Sequence, residues 1–453
     1  MGPRPSLKRD SMVRKAIIMG AAGRDFHNFN TFFKKNPGYE VVAFTAAQIS
    51  DLDTGAGVEK RVYPPELSGP RYPDGIRIYP ETQLTRLIEE LGVDEAFFSY
   101  SDVSATYLHD KAAEVQAAGA SFVLLGPRDT MIKPSKPLIS VCASRTGSGK
   151  SPTSRWLVSL LRDKGYRVVV IRHPMPYGDL VKQRVQRFET YEDLDRHNCT
   201  IEEREDYEPH LDMGVVVYSG VDYADILKAA EEEADVVIWD GGNNDFPFYE
   251  PLLQIVIVDP HRVGHELRYY PGETNVRMAD VVVVSKVNTA DPSNVQKVKE
   301  NVRKINPDAK IVTANMVITA EDEDSLRGKR VLVIEDGPTL THGEMKYGAA
   351  TIKAMEKGAN IVDPRPYTKG TIKEVYKLWP HLGKLLPAVG YSPHQMKELE
   401  EIINSVPCDI VLMGTPTDLR RYLEVDKPVL RVRYEFEETE TGSLGIEVLK
   451  ALE

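Results

Sequence analysis

Short apolar runs alternate with segments of helical spacing along most of the chain. Runs such as VVVI (168–171), IVIV (255–258) and VVVV (281–284) are typical of parallel strands that are covered on both faces. Their alternation with helices predicts parallel sheets with helices packed on both sides. The strands expected from the pattern are 15–19, 40–44, 95–99, 121–125, 138–143, 167–171, 214–218, 235–239, 254–259, 281–285, 310–314, 330–334, 410–413 and 429–434. The expected helices include 83–91, 105–118, 155–162 and 395–404.

The segment 126–137, GPRDTMIKPSKP, has no apolar period and is rich in proline and basic residues. Such a segment indicates a domain boundary. We therefore expect a disordered arm at 1–14, a first α/β domain at 15–125, a linker at 126–137 and a second α/β domain at 138–384. The pattern leaves open whether 385–453, a further α/β segment, is separate or completes the preceding sheet.

Composition narrows the class of protein. The 453 residues carry a net charge of −11, so we expect no nucleic-acid partner. The three cysteines, Cys142, Cys199 and Cys408, lie far apart in the sequence, which argues against a disulfide framework or a structural zinc site and favours a reducing compartment. No apolar stretch approaches the roughly 18 residues that a membrane span needs. We expect a cytoplasmic protein with no membrane partner.

The first expected strand ends in the turn GAAGRDFH, 20–27, which resembles a Rossmann-type phosphate turn. Its spacing is GxxG and not GxGxxG, and no acidic residue stands clearly at the ribose position. Nicotinamide chemistry is therefore poorly supported. Arg24, Asp25 and His27 are candidates for facing a ligand, and a purely structural turn is the alternative.

The strongest signal is LISVCASRTGSGKS at 138–151. An apolar strand leads into a glycine-rich turn, then Lys-Ser, then helical spacing, and this order resembles a Walker A loop. We expect the backbone N–H groups to wrap the β-phosphate, the Lys150 ammonium to reach the β- and γ-phosphate oxygens, and Ser151 to hold Mg²⁺. Ser144 stands where the pattern has its first glycine, a departure that a small residue tolerates. The residues expected to contact the nucleotide phosphates are Gly147, Ser148, Gly149 and Lys150.

Arg145 occupies the position at which MinD/ArsA-like ATPases carry a signature lysine. One interpretation makes Arg145 a catalytic group that reaches a phosphate across a homodimer, as an arginine finger does. A solvated loop arginine is an equally weighted alternative. The fold expected for the whole chain is α/β: a Rossmann-like parallel sheet, then a P-loop NTPase domain of the MinD/ArsA-like branch, then a C-terminal α/β extension.

The strand DVVIWD, 235–240, ends in an aspartate and is followed by GGNND. Asp240 fits the carboxylate that binds Mg²⁺ through water in P-loop proteins. Asp245 is a candidate catalytic residue that orients the attacking group, together with Asn243 and Asn244. The glycines Gly241 and Gly242 would allow the backbone to approach the γ-phosphate.

A second strand–loop motif, VVVVSKVN at 281–288, resembles the base-binding NKxD motif of GTPases. Asn288 stands where the aspartate would be, and one amide cannot supply the two acceptors that guanine requires. Lys286 and Asn288 are therefore expected to bind the base, and ATP is favoured over GTP.

Arginine and histidine gather after two expected strands, in IRHPMPYGDL with QRVQRF and in DPHRVGHELRYYPGETNVR. In an acidic protein this clustering suggests a polyanionic substrate, because guanidinium groups match phosphate and carboxylate oxygens. His261 and His265 have the spacing of metal ligands, but no cysteine or third histidine lies beside them in the sequence. We therefore favour anion contact over zinc. The substrate-binding candidates from these loops are Arg172, His173, Arg187, Arg262, His265 and Arg268.

A third loop, EDGPTLTHGEMKYGAA at 335–350, follows another expected strand. Thr339 and Thr341 are candidates for contacting a substrate phosphate, and His342 is a candidate catalytic residue. Glu335 or Asp336 is a candidate for a Mg²⁺ ligand or a base. In TIEERED, 200–206, the three glutamates Glu202, Glu203 and Glu205 are weighed as metal ligands, but a charged helix face is favoured.

The order of these motifs resembles the archaeal cyclic 2,3-diphosphoglycerate synthetase family over nearly the whole chain. The resemblance implies that ATP drives closure of 2,3-diphosphoglycerate to its cyclic phosphoanhydride, with release of ADP and phosphate. It also implies Mg²⁺ as a cofactor, with K⁺ as an open option, and a small phosphorylated acid as substrate. Two alternatives stay open: a P-loop switch or metallochaperone-like NTPase that acts on a partner, and a ligase for another phosphorylated acid.

Overall fold

The computed structural model describes residues 13–21, 23–47, 61–173, 178–242, 245–341, 343–389 and 393–453. The chain divides into two compact units. Unit 1 comprises residues up to Ile132, Gly220–Ala224 and the described part of 175–185. Unit 2 comprises Lys133–Pro174, Gln186–Ser219 and Asp225–Glu453. Among the described residues no helix is long and apolar enough to cross a membrane.

Unit 1 contains a sheet with the strand order β3-β4-β2-β1-β5-β7. Its strands pair in parallel except at β3 and β4. The strands of this part of the chain are β1 (Arg14–Met19), β2 (Tyr39–Ala46), β3 (Val62–Tyr63), β4 (Ile76–Pro80), β5 (Glu95–Phe98), β6 (Val103–Ser104) and β7 (Ser121–Val123). The helices are α1 (Arg24–Asn28), α2 (Pro65–Ser68), α3 (Leu84–Leu91), α4 (Ala105–Ala117) and α5 (Pro127–Thr130).

The core of unit 1 is aromatic. Phe26 and Phe29 of the first helical turns are buried against Phe44 of β2, and Phe26 stacks on Tyr63 with ring centroids 4.6 Å apart. These rings bury a large apolar area in the small space between the helix and the sheet. The glycine-rich turn after β1 is therefore held by packing on one side of the sheet.

Unit 2 is built on one long sheet with the order β10-β11-β9-β12-β8-β13-β15-β16-β21-β20-β17-β18, and β19 pairs with β17. Its strands are β8 (Leu138–Ala143), β9 (Val168–Arg172), β10 (Val185–Phe188), β11 (Val217–Gly220), β12 (Val236–Asp240), β13 (Leu253–Val258), β15 (Val281–Val284), β16 (Lys310–Ala320), β17 (Arg330–Asp336), β18 (Asn360–Ile361), β19 (Leu386–Ala388), β20 (Ile410–Gly414) and β21 (Val429–Glu438), and a short strand β14 (Tyr269–Tyr270) lies apart from this sheet.

Helices connect these strands and cover the sheet. They are α6 (Lys150–Asp163), α7 (Tyr191–Arg196), α8 (Ile201–Leu211), α9 (Tyr223–Glu233), α10 (Gly272–Met278), α11 (Pro292–Ile305), α12 (Gly337–Leu340), α13 (Ala349–Glu356), α14 (Gly370–Leu378), α15 (Pro393–Ser405) and α16 (Ser443–Leu452). The central strands β8, β12, β13 and β15 are buried along their whole length, as apolar runs predict for a parallel sheet covered on both faces.

The α/β prediction is confirmed, and β8 has the predicted bounds. The segment 385–453 does not stand apart: β20 pairs in parallel with β17, and β21 pairs in parallel with β20 and antiparallel with β16. The C-terminal segment therefore completes the sheet of unit 2. Strands β8, β9, β12, β13 and β15 run in one direction, whereas β17 and β20 run in the opposite direction because β21 is antiparallel to β16. The carboxyl ends of the two sets of strands therefore point towards each other along the sheet, and the loops that follow them meet between the two sets.

Candidate active site

The loops at the carboxyl ends of these strands surround a cavity of about 500 Å³ within unit 2. Its wall comes from the loop after β8, the start of α6, the end of β9, helix α8 and the loops after β13, β15 and β17. α/β sheets place ligands at the carboxyl ends of their strands, because side chains from several strand ends converge there. The cavity is the candidate active site.

The loop between β8 and α6 has the backbone of a phosphate loop. Gly147 and Gly149 both have positive φ, at 76° and 108°. A Cβ at Gly149 would also meet the Met316 methyl group at 2.5 Å, so this position requires glycine. Among the described residues, no side-chain acceptor is bonded to the first N–H groups of α6. The predicted strand–loop–helix is thus confirmed, and its N–H groups and helix N-terminus suit an anion.

Neighbouring strands fix this loop from behind. The Ser285 hydroxyl donates to the Ser148 carbonyl at 2.6 Å, and the Lys286 ammonium donates to the Gly147 carbonyl at 2.6 Å. These bonds leave the amide N–H side of the loop for a ligand, because they occupy carbonyl oxygens. Lys286 therefore supports the loop and also lines the cavity.

Lys150, Asp240 and Arg172 form a buried charge network. The Lys150 ammonium donates to Asp240 Oδ1 at 2.8 Å, and Arg172 Nη1 lies 3.0 Å from the same oxygen. His210 Nε2 lies 3.1 Å from Asp240 Oδ2. Arg172 also forms an ion pair with Asp206 of α8. The network places the candidate Mg²⁺ ligand Asp240 directly beside the lysine of the phosphate loop.

The protonation states in this network follow from burial and charge. Burial alone would raise the pKa of Asp240, but Lys150 and Arg172 hold that pKa well below its ordinary value. Burial lowers the pKa of Lys150, with a further contribution from Arg172. Burial also lowers the pKa of His210. Asp240 is thus an ionised carboxylate, as a cation ligand must be.

Asp259, directly after β13, holds two of the predicted cationic residues. Its Oδ2 accepts from Lys286 at 2.8 Å and from Arg262 at 2.9 Å. These partners hold the pKa of Asp259 below its ordinary value although burial acts to raise it. Arg262 also donates to the carbonyls of Thr146 and Gly343, at 2.8 and 2.6 Å, and so joins the phosphate loop to the loop after β17.

Arg145 is 1% exposed, so the interpretation as a solvated loop arginine is wrong. Its guanidinium lies over the Tyr269 ring, 3.6 Å from the centroid, and donates to His265 Nδ1 at 2.5 Å. Glu344 Oε2 lies 3.5 Å away. Arg145 also lines the cavity. A homodimer stays a prediction.

Acidic residues line a second part of the same cavity. Glu205 and Asp206 of α8 lie there with Glu335 and Asp336 at the end of β17. Burial raises the pKa of Glu205 well above its ordinary value, and neighbouring carboxylates including Asp336 raise it further. Asp336 has a pKa raised by burial as well, and its carboxylate accepts from the Thr339 backbone N–H at 3.0 Å. We call Glu205, Asp206, Glu335 and Asp336 the acidic wall.

Glu335 is fully surrounded by donors. Its carboxylate accepts from the Thr351 N–H and hydroxyl, at 2.6 and 2.7 Å, and from the N–H groups of Gly348 and Ala350. Burial nevertheless raises its pKa to about 7. A carboxyl group with this pKa exchanges a proton at neutral pH and suits acid–base chemistry.

Several predicted site residues lie elsewhere or are otherwise engaged. Arg187 is outside the described cavity lining and pairs with Glu233 at 2.8 Å. The Asn288 amide accepts from the Met316 N–H and donates to the Met316 carbonyl, both at 3.1 Å. The two bonds make Asn288 a positioning contact for the Met316 backbone, and Asn288 is outside the described cavity lining. The base contact stays a prediction.

His173 and Asp245 are buried next to each other, with Nδ1 and Oδ2 3.5 Å apart, outside the described cavity lining. Arg268, His265 and Thr341 are outside that lining as well, whereas Ser151 and Thr339 belong to it. His342, Asn243 and Asn244 lie outside the described residues. Glu203 caps α8 by accepting from the Thr200 N–H at 2.8 Å. Glu203 and Glu205 are both buried, so the charged helix face that the sequence favoured is wrong for these two glutamates.

Sequence reasoning missed Asp206, His210, Asp259, Arg155 and Tyr434. Asp259 had a usable signal, because it directly follows an apolar strand as Asp240 does. Arg155 and Tyr434 had no such signal in the sequence. Arg155 lies within a helix and Tyr434 within a strand, and only the order of strands in the sheet brings them to the cavity. Among the residues that the structure describes, no group of three or more His, Cys, Asp or Glu side chains is arranged to hold a metal ion.

Comparison with known proteins identifies the family of the chain. The family profile "Cyclic 2,3-diphosphoglycerate synthetase, P-loop domain" matches residues 212–315. Arginine synthetase ArcE of Thermococcus kodakarensis is 57% identical over 426 residues, which is 94% of this chain and 94% of that protein. A cyclic 2,3-diphosphoglycerate synthetase of Thermococcus sibiricus is 24% identical over 145 residues, 30% of this chain and 32% of that protein.

Among solved structures, "apo" form LpxK from Aquifex aeolicus in complex with ATP is similar to 82% of this chain, over 98% of its own, with 14% identity and a TM-score of 0.41. The sequence relationships are much stronger than this structural one. The arginine synthetase that is 57% identical to this chain belongs to the same family. The chain belongs to the cyclic 2,3-diphosphoglycerate synthetase family and is an ATP-dependent ligase.

Proposed function

We propose that this protein is a ligase that uses ATP to form arginine from a δ-ureido amino acid, citrulline, and ammonia. The observation that carries the proposal is the acidic wall in the same cavity as the phosphate loop. Arginine synthetase ArcE, identical at 57% of positions, supports the choice of product. The family membership favours a ligase over the switch-like NTPase that the sequence left open.

The charges of the cavity suit a cationic product. Arg172 is committed to Asp206 and Asp240, and Arg262 and Lys286 are committed to Asp259. The cations that the sequence assigned to a polyanion are therefore largely compensated by carboxylates of this chain. A guanidinium group, in contrast, gains from Glu205, the carboxylate of the acidic wall for which the structure describes no partner, in a cavity that excludes much of the water.

The chemistry of such a ligase has two steps. The ureido oxygen attacks the γ-phosphorus of ATP, and the bond between that phosphorus and the β,γ-bridging oxygen breaks, so that ADP leaves. Ammonia then attacks the ureido carbon, and the carbon–oxygen bond breaks with release of inorganic phosphate. The oxygen of the ureido group ends in the phosphate, and the proton lost by the nitrogen must pass to a base.

The chain supplies groups for each step. The N–H groups at Gly147–Lys150 and the Lys150 ammonium would hold the β- and γ-phosphates and neutralise charge as ADP leaves. In the second step positive charge develops on the attacking nitrogen and then spreads over the guanidinium group that forms, and Asp206 and Glu205 lie in the cavity to stabilise it. Glu335, with a pKa of about 7, is the candidate base for the attacking nitrogen.

Mg²⁺ fits the same place. Ser151 and Asp240 would hold it, and it would neutralise charge on the β- and γ-phosphates. Asp240 Oδ1 is bound by Lys150 and lies 3.0 Å from Arg172 Nη1, so both contacts must loosen before this oxygen can hold a cation. A requirement for K⁺ stays a prediction.

A second candidate is closure of 2,3-diphosphoglycerate to its cyclic phosphoanhydride. The family profile at 212–315 favours it, as do two cavity cations, Arg155 and Lys346, for which the structure describes no carboxylate partner. Against it stands the acidic wall, since a substrate with several negative charges would meet buried carboxylates.

One experiment tests both candidates. The purified protein is incubated with MgATP, ammonium and citrulline that carries ¹⁸O in the ureido group, and ³¹P NMR follows the phosphorus compounds. We expect arginine, ADP and inorganic phosphate whose signal is isotopically shifted by the transferred ¹⁸O. Arginine without labelled phosphate would contradict the mechanism, and no arginine would contradict the function. A parallel sample with 2,3-diphosphoglycerate reports the second candidate as a new cyclic phosphoanhydride signal.

A further inference from the structure

Glu205 is a buried carboxylate without a partner. Its side chain is 8% exposed, it lines the active-site cavity, and the structure describes no hydrogen bond or ion pair for it. The other residues of α8 near it are engaged, since Asp206 pairs with Arg172 and Glu203 caps the helix. A carboxylate that loses water and gains no partner is costly, so this position indicates a cationic ligand group.

Arg155 offers the complementary charge. It is half-buried on α6, lines the same cavity, and donates to the Tyr434 carbonyl at 3.2 Å. Of the described cations in the cavity lining, Arg155 and the exposed Lys346 are those for which no carboxylate partner is described. The remaining guanidinium N–H groups of Arg155 can therefore receive a planar anion, for which a carboxylate is the matching group.

Tyr434 of β21 lines the cavity together with Arg155 and Glu205, and its carbonyl accepts the hydrogen bond from Arg155. Arg155 follows Lys150 by five residues on α6, which corresponds to about 7.5 Å along the helix axis. Arg155 is thus set back from Lys150 along the helix axis by a distance that the aliphatic chain of an amino acid can span, and Glu205 lines the same cavity.

We propose that Arg155 binds the α-carboxylate and Glu205 the α-ammonium group of an amino-acid substrate. This inference rests on the proposed function and deepens it, because it makes the substrate a free amino acid and assigns the residues that recognise it. The reacting end of the substrate then points to Lys150, Asp206 and Asp240. A phosphorylated acid lacks the ammonium group and would leave Glu205 unpartnered.

The test compares ligands that each lack one charge. Calorimetry in the presence of MgADP measures the binding of citrulline, its α-carboxamide and its Nα-acetyl derivative to the full-length protein. The wild type should bind citrulline roughly 10- to 100-fold more tightly than either derivative, the range expected for one lost charged hydrogen bond. Arg155→Met should lose the discrimination against the carboxamide, and Glu205→Gln should lose the discrimination against the acetyl derivative.

Matched controls separate recognition from folding. Arg433→Met and Glu435→Gln change exposed residues on either side of Tyr434 in β21, and both should bind all three ligands as the wild type does. Arg155→Lys keeps the charge and should restore part of the discrimination. Thermal unfolding of every variant reports whether the fold is intact.

The outcomes distinguish the two proposals. If the wild type binds citrulline and the two variants retain full discrimination, the assignment of Arg155 and Glu205 is overturned while the proposed function stands. If the wild type binds neither citrulline nor arginine, the proposed function fails and this inference fails with it. Loss of each discrimination in its own variant supports the assignment.

Discussion

Two glycine-rich turns in this chain begin alike and end differently. Each follows a buried strand, β1 or β8, and each leads into a helix. After β1 the Asp25 carboxylate accepts from the N–H groups of Gly23 and Phe26, at 3.0 and 2.7 Å. After β8 the structure describes no side chain that accepts from the first N–H groups of α6, and Lys150 faces a cavity. The first turn satisfies its own donors and the second leaves them for a ligand.

The comparison teaches that glycine spacing alone does not predict a phosphate site. Arg24, Asp25 and His27, predicted as candidates for a ligand, are each at least nine-tenths buried, and the His27 ring lies 2.7 Å from the Thr130 carbonyl. The structure thus supports the structural alternative for the first turn. What distinguishes the second turn is a lysine followed by a small hydroxyl residue, with the opposing Asp240.

The largest effect is expected at the open turn, by which we mean the turn after β8 that leaves its N–H groups for a ligand. Lys150→Ala removes the ammonium that would meet the nucleotide phosphates and leaves Asp240 without its 2.8 Å partner. We expect the rate of ATP-dependent turnover to fall by about 10³-fold or more. Steady-state ADP release measures this, with Lys164→Ala on the exposed end of the same helix as the control. An unchanged rate in Lys150→Ala would remove the phosphate loop from the mechanism.

The next effect concerns the acidic wall that faces the open turn. If Glu335 is the base, kcat/KM rises as pH increases through about 7, where its carboxyl group ionises. Glu335→Gln should remove this rise from the pH profile and lower kcat/KM by about 10²-fold. The pH–rate profiles of the wild type, this variant and the exposed control Glu90→Gln measure it. A rise that persists in Glu335→Gln would assign the base to another residue.

The same group affects stability with a sign that can be checked. Burial makes the folded pKa of Glu335 higher than its ordinary value of 4.5. The folded protein therefore binds this proton more tightly than the unfolded chain does, and stability falls as pH rises from about 4.5 to about 7. The full loss is about 3 kcal/mol. Denaturant unfolding at pH 5 and pH 8 should show this fall in the wild type and a smaller one in Glu335→Gln.

A fourth prediction addresses the closed turn, by which we mean the turn after β1 whose N–H groups bind Asp25. Asp25→Ala leaves two buried N–H groups without an acceptor, so we expect a loss of about 2 kcal/mol in the free energy of unfolding. Turnover of the remaining folded protein should be unchanged, because the first turn holds no ligand in this interpretation. Asp110→Asn, at an exposed position, is the control. A change in KM for ATP with unchanged stability would contradict the closed-turn interpretation.

How much the sequence could predict differs between the two ends of the cavity. The phosphate-loop side is local: β8, Lys150 and the strand that ends in Asp240 could all be identified from short motifs. The acidic wall joins Glu205 of α8 to Asp336 of β17, beside Tyr434 of β21. These segments meet because β21 lies between β16 and β20, and single-sequence patterns do not give that strand order.

The charge of the cavity could not be predicted for a related reason. Arg172 and Arg262 have the residue type and position of anion-binding groups, and the sequence does not show which carboxylates pair with them. Asp206 reaches Arg172 from a helix, and Asp259 reaches Arg262 from the residue after a strand. The prediction of a polyanionic substrate counted the cations and missed the partners that compensate them.

The smallest effect is expected at Asn288, beside the open turn. The predicted base contact would make Asn288→Asp shift the preference from ATP towards GTP, because the aspartate accepts two guanine N–H groups. The two bonds to the Met316 backbone predict instead that the ratio of kcat/KM for ATP to that for GTP changes by less than about threefold. Losing the donor to the Met316 carbonyl should lower the free energy of unfolding by about 1 kcal/mol. Parallel kinetics with the two nucleotides measure the ratio, with Asn294→Asp on α11 as the control. A large rise in GTP use in Asn288→Asp alone would return the base-binding function to this residue.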